Sequence, residues 1–219
     1  MTKSLTERIK EIRKKEGNLT LLKKITIAIL SKLFWIEKII LYELDLEKNL
    51  NIALPTIDVD FRLATRKDIE NLDNEEYGFE PIDKKYSLKR LEKGDKCVLA
   101  IHNKEIIGYI WTMYGEMELS RVKHISLPNN KLYSYNGFVK KEFRGNRIHS
   151  GMFYHINDLG RKNGKKYGIS AVFSRNKPAI KAKTRQKDIF RVIGKIKQIT
   201  IFGKDFVLIN KKYLEDLRS

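Results

Sequence analysis

The segment that most restricts the fold runs from residue 131 to residue 174. Residues 131–139 (KLYSYNGFV) read as a strand, and a short basic loop follows. Ile148, Met152, Phe153, Ile156 and Leu159 then recur at helical spacing, ending near Asn163 and Gly164, before residues 168–174 make the next strand. Two strands joined through a helix belong to a crossover, so the sheet is mixed and covered on both faces. The flanking patterns extend it. Residues 58–64 (DVDFRLA) alternate as a half-buried strand, and Thr65 with Asp68 forms a capping-box pattern for a short helix to about Leu72. A second helix covers 84–93, with Gly94 placed for a left-handed stop. Residues 96–102 and 105–113 form a hairpin around Asn103 and Lys104, whereas 114–130 read as a polar stretch without a regular element. A basic helix over 177–187 and an antiparallel pair, 193–201 with 204–209 around Gly203, close the chain. The expectation is an α/β domain over 58–212 with a mixed sheet flanked by helices.

Residues 1 to about 50 have almost no Gly or Pro and are rich in Leu, Ile, Lys and Glu, which predicts a helical extension over 1–55. The apolar run 21–42 (LLKKITIAILSKLFWIEKIILY) is too charged to span a bilayer, since Lys23, Lys24, Lys32, Glu37 and Lys38 interrupt it. It reads either as helices packed on the main domain or as a basic amphipathic surface on a membrane, anchored by Phe34 and Trp35. The one cysteine, Cys97, reads as an inert core thiol, and the four scattered histidines suggest no metal site. With no cleavable apolar signal region, the cytosol is the expected compartment, with a peripheral place at the cytosolic membrane face as the variant.

Charge is distributed unevenly. The net charge of +18 divides into +4 up to residue 57, −1 from 58 to 139, and +15 from Lys140 onward, where 21 basic residues face 6 acidic ones. Such a field favours a polyanionic partner: a phosphorylated cosubstrate, nucleic acid, an acidic carrier or an anionic membrane. Residues 136–152 (NGFVKKEFRGNRIHSGM) concentrate the chemistry. A helix N-terminus there offers outward-pointing N–H groups, and Arg144 and Arg147 add full charges beside them, which together suit a pyrophosphate.

Three segments carry a resemblance. FRLATRKDIENL resembles the opening strand and capped helix of the GCN5-related N-acetyltransferase superfamily, VKKEFRGNRIHSGMF resembles its cofactor loop, and SRNKPAIKA its Asn-containing helix entry. The resemblance covers about residues 58–210. It implies the acyl-CoA N-acyltransferase fold, mostly antiparallel, with acetyl-CoA or another acyl-CoA in a V-shaped split between the strand ending at Val139 and the strand over 168–174. It further implies pantetheine pairing with Phe138 and Val139, pyrophosphate held by Arg144, Gly145, Asn146, Arg147, Ile148 and His149, and Asn176 and Lys183 near the pantetheine. Two departures stand out: Arg147 and His149 replace the family's paired small residues, and Lys183 and Thr184 occupy the neighbourhood of its usual Tyr acid.

Acyl transfer to an amine requires a base, and Glu116, Glu118 and His124 are candidates, in that order, from the stretch where the family builds its acceptor site. The implied activity is N-acyl transfer, acetyl first, to a primary amine such as an amino sugar or another small cell-envelope precursor, directly in a ternary complex. Two alternatives remain: a nucleic-acid-binding protein using the basic surface, and a long-chain acyltransferase fed by an acyl carrier protein. A homodimer is left open.

Overall fold

The computed structural model describes residues 17–20, 22, 23, 26, 34–48, 54–71, 84–119, 123–185, 188–202 and 204–218. In chain order the elements are β1 (Phe34–Asp45), β2 (Asp60–Leu63), α1 (Arg66–Asn71), α2 (Lys84–Glu92), β3 (Lys96–His102), β4 (Glu105–Tyr114), β5 (Glu116–Leu119), β6 (Lys123–Ser126) and β7 (Lys131–Val139). There follow α3 (Ile148–Lys162), β8 (Tyr167–Phe173), α4 (Lys177–Thr184), β9 (Phe190–Ile201), β10 (Lys204–Leu208) and α5 (Lys211–Arg218). Among the described residues eight strands form one sheet in the order β10-β9-β1-β8-β7-β4-β3-β2, and β5 pairs with β6 in a separate hairpin. Among the described residues only β7 and β8 run parallel; every other neighbour pair in this sheet is antiparallel.

Several local signals act as their chemistry dictates. The Asp68 carboxylate accepts from the Thr65 backbone N–H at 2.7 Å while the Thr65 hydroxyl accepts from Asp68 N–H at 3.3 Å, closing the capping box. Arg62 donates twice to the same carboxylate, at 2.7 and 2.8 Å, and this holds the Asp68 carboxyl well below its usual range. Asn103 and Lys104 both take positive φ, 48° and 68°, the two-residue turn whose twist matches a hairpin.

The helical extension does not hold for residues 34–45. Gly17–Thr20 is helical, but β1 lies inside the sheet, antiparallel to β8 on one edge and β9 on the other, so the boundary near residue 55 does not separate it from the main domain. A strand covered on both faces shows a near-continuous apolar run rather than alternation, and the β-branched and aromatic residues of FWIEKIILYELD suit that place. Two of its three acids, Glu37 and Glu43, are buried and paired. Glu43, 3% exposed, meets Arg191 of β9 at 2.6 Å and Lys131 of β7 at 3.4 Å; Glu37 meets Arg175 at 3.2 Å. Residues 27–33 of the proposed amphipathic surface, and Gly203, lie outside the described residues. Phe34 and Trp35 begin β1 and are about half exposed. None of the described helices is long and apolar enough to cross a membrane. The stretch 114–130 also departs from expectation, holding β5 and β6, and α5 was not anticipated.

Alternate residues of each strand feed opposite faces. Cys97, Leu99 and Trp111 pack with Ile69 and Leu88 under α1 and α2, while Val98, Ile110 and Leu132 pack with Ile148, Met152 and Ile156 of α3. Burial pushes the Cys97 thiol far up, as suits an unreactive core position. Met113, Tyr133, Leu41 and Ile169 meet Met117, Leu119 and Ile125 of the β5-β6 hairpin and Leu217 of α5. On the α3 side, Gly160 lets the helix lie against the sheet: a Cβ there would come within 2.2 Å of the fully buried Leu132. Gly160→Ala is therefore expected to destabilise by about 1–3 kcal/mol through overpacking, read as a fall in denaturation midpoint with an unchanged slope.

Candidate functional site

Parallel pairing between β7 and β8 runs from Lys131 with Tyr167 to Ser134 with Ser170 and stops there. Each strand continues, β7 to Val139 beside β4 and β8 to Phe173 beside β1, so the sheet parts beyond Ser134. A bulge accompanies the parting. Trp111 faces Tyr135 and Tyr109 faces Phe138, leaving one extra residue on β7, and Asn136 takes a φ of 47°. The edge of residues 135–139 that faces away from β4 thus has no strand partner among the described residues, and its backbone groups suit pairing with an extended, amide-bearing ligand.

At the open end, a 3₁₀ turn (Lys141–Phe143) leads through Gly145 (φ 91°) to Arg147, the N-cap of α3. Arg147 sits in the left-handed region (φ 59°), where a side chain costs about 1–2 kcal/mol and glycine is at ease. The Arg147 side chain makes no capping hydrogen bond, so the first-turn amides are available to an external acceptor. The exposed Arg147 guanidinium makes no ion pair or hydrogen bond among the described residues. The other loop residues are partly occupied. Arg144 Nε donates to the Val139 carbonyl at 3.0 Å; Asn146 accepts from the Thr56 hydroxyl at 2.8 Å and donates to the Phe143 carbonyl at 3.1 Å; Ile148 is buried as a core anchor. Asn176 caps α4, accepting from Ala179 N–H at 3.2 Å. Phe138 stacks on Tyr109 at 5.5 Å between ring centres.

His149 and Lys183 meet on the α3 side of the split. A Cβ at Gly137 would lie 2.8 Å from His149 Nε2, so the imidazole fills the space that a glycine in β7 leaves open. Phe153 stacks on it at 6.4 Å. The ring keeps solvent contact, yet desolvation, and then the Lys183 charge, hold its pKa below the ordinary range, leaving it neutral at pH 7. Lys183, partly buried on α4, projects among aromatic rings, and burial pulls its amine down to about 7.

The opposite face carries the acids. Glu116, Glu118 and His124 do come together on the β5-β6 hairpin: Glu118 lies across from His124, and Glu116 Oε2 is 3.5 Å from His124 Nδ1. Glu118 accepts from the Tyr86 hydroxyl at 2.7 and 2.9 Å. Arg90 covers the Tyr86 ring at 4.1 Å and the Tyr135 ring at 4.6 Å, and the Tyr135 hydroxyl donates to Asp95 at 2.5 Å. Burial pushes the Asp95 carboxyl upward. Tyr135 is the first residue beyond the last β7-β8 pair, so this network begins at the apex of the split. Tyr86, Arg90, Asp95 and Tyr135 went unmarked in the sequence because each stands alone inside an ordinary helix, turn or strand, with no spacing that signals the others.

No protein-family model matches the chain, and no curated protein matches it in sequence. Solved structures do match. A GCN5-related N-acetyltransferase from Sphaerobacter thermophilus aligns at 14% identity with a TM-score of 0.52, covering 84% of this chain and 56% of that one. A functionally unknown conserved protein from Staphylococcus epidermidis aligns at 16% identity and 0.50, covering 83% and 66%. A Drosophila protein aligns at 10% and 0.53, covering 85% and 59%. The fold is that of the GCN5-related N-acetyltransferases, and the chain spans only part of the length of these larger structures.

The depressed Lys183 amine has a measurable consequence. Its folded pKa lies below its unfolded value, so the unfolded chain binds the extra proton between about pH 7 and 10.5, and stability from this group rises with pH across that window. Lys183→Met is expected to raise the melting temperature by several degrees at pH 6 and to lose that advantage by about pH 10, as followed by calorimetry.

Proposed function

We propose that the chain is an acyl-coenzyme A dependent N-acyltransferase, with acetyl as the first acyl group to test and a primary amine of a small molecule as acceptor. The observation that carries this reading is the parted sheet: a strand edge with no partner among the described residues leads from the start of α3 to an apex where Tyr135 bonds the Asp95 carboxylate. A nucleotide thioester is long, amide-bearing and anionic at one end, and the split offers matching groups along its length.

Each of this chain's residues then has a task. First-turn amides of α3, from Ile148 and His149, hold the diphosphate with Arg147; Arg144 supports them by fixing the end of β7 through the Val139 carbonyl. The backbone of Phe138 and Val139 lies along the pantetheine arm, and Asn176 shapes the mouth by starting α4. Gly145 and Asn146 set the course of the loop, with Asn146 braced on Thr56. Lys183 lines the inner end. When bound, the thioester supplies an activated acyl carbon. On the acceptor side, Glu116 takes the proton of the incoming ammonium and shares it with His124, while Glu118 and Tyr86 orient the amine. Transfer occurs directly in a ternary complex. The +15 of the last third exceeds what one cosubstrate needs, which supports an anionic acceptor, such as a nucleotide- or lipid-linked amino sugar, or an anionic surface near it.

Acetyl-coenzyme A is expected to raise the melting temperature of the full chain, growing with concentration as binding to the folded state requires; no shift at millimolar ligand removes the reading. Arg147→Gly separates binding from folding. It relieves the left-handed strain, so stability stays level or rises by up to about 1 kcal/mol, while coenzyme A affinity by calorimetry falls roughly ten-fold.

A further inference from the structure

Lys183 is an unusual lysine. Its Nζ lies 4.1 Å from the centre of the Phe190 ring, 4.9 Å from that of Phe153 and 5.4 Å from that of Tyr42. Rings from β9, α3 and β1 therefore surround one amine. No carboxylate pairs with it among the described residues, and the titratable groups that face it are the neutral His149 from α3 and Tyr42 from β1. Cation–π attraction favours the charged form modestly, but desolvation outweighs it, so a substantial share of the amine is neutral near pH 7.

Its position matters as much as its chemistry. Tyr42 is in register with Ser170, and Ser170 makes the last pair with Ser134 before β7 and β8 part. Tyr42, one of the three residues whose rings surround the amine, is thus level with the apex, on the strand next to β8. A ligand entering beside Arg147 and lying along residues 135–139 has its far end at that apex.

Resting on the proposed donor, we infer that Lys183 is itself an acyl acceptor, a self-modification site at which a bound thioester acylates Nζ when no amine substrate is present. The neutral nitrogen attacks the thioester carbonyl; a C–N bond forms, the C–S bond breaks, and the sulfur leaves as a thiolate that takes up the proton shed by nitrogen. The products are an N-acyl-lysine and a free thiol, with no change in oxidation state. An amide is a poor acyl donor, so the product is a stable mark and not a relay intermediate. It replaces a poorly solvated charge with a small neutral group that fits the aromatic cage, and it obstructs the inner end of the split. The enzyme would in this way register a high supply of donor against a scarcity of acceptor.

The test uses the full chain incubated with acetyl-coenzyme A and no amine, read by intact mass and peptide mapping, with melting temperature followed on the same samples. Acetylation is expected at Lys183 roughly ten-fold or more faster than at surface lysines, with a rate that rises through about pH 7 and not about pH 10. Lys183→Arg should abolish the mark, and Phe190→Ala, by admitting water, should move the rate profile to higher pH. A thermal shift with Lys183 unmodified, or with the mark spread over lysines by exposure alone, overturns the inference and leaves the donor assignment standing. Neither shift nor mark overturns both.

Discussion

The insertion of β1 into the interior of the sheet is the constraint on which the rest of the structure depends. It pairs with β8 on one side and β9 on the other, and it carries Glu43 into the interior, where Arg191 and Lys131 meet the carboxylate. Lys131 stands at the start of β7, so one buried acid ties together strands on both sides of β8. Losing a single partner from such a group strands a charge and costs about 3–5 kcal/mol. The anchor lies at the paired end of β7 and β8. The strands are held together there and left free at the other end, which is how a continuous sheet sustains a parting in its middle.

Legibility followed the range of the interactions involved. The capping box of Thr65 and Asp68, the turn at Asn103 and Lys104 and the stop at Gly94 are set by neighbours within a few residues, and the structure contains each of them. β1 was misread because its partners lie more than a hundred residues away, and a doubly covered strand lacks the alternation that separates strand from helix. The β5-β6 hairpin was missed because its charged positions, Glu116, Glu118 and His124, hide an apolar face of Met117, Leu119 and Ile125 that only packing reveals.

The site shows the same division. The loop at Arg144 to His149 announces itself by charge and by its place before an amphipathic helix, but sequence did not show that Arg147 would adopt a glycine-like conformation or that His149 would lean on Gly137. Asn146 and Asn176 read as ligand contacts in the sequence, and the structure adds a bracing bond to each, one with Thr56 and the other starting α4. The network through Tyr86, Arg90, Asp95 and Tyr135 joins a helix, a turn and a strand, and exists only once the sheet has formed.

The early position of β1 in the chain bears on how the molecule is made. A ribosome releases this strand more than a hundred residues before β8 and β9, so its edges must wait for partners made much later. During that interval both edges are open to pairing with other chains, and the acids at Glu37 and Glu43, still without their arginines, act as charged guards against it. The acids that form ion pairs in the finished sheet are thus also charges of the kind that disfavour strand addition before β8 and β9 exist.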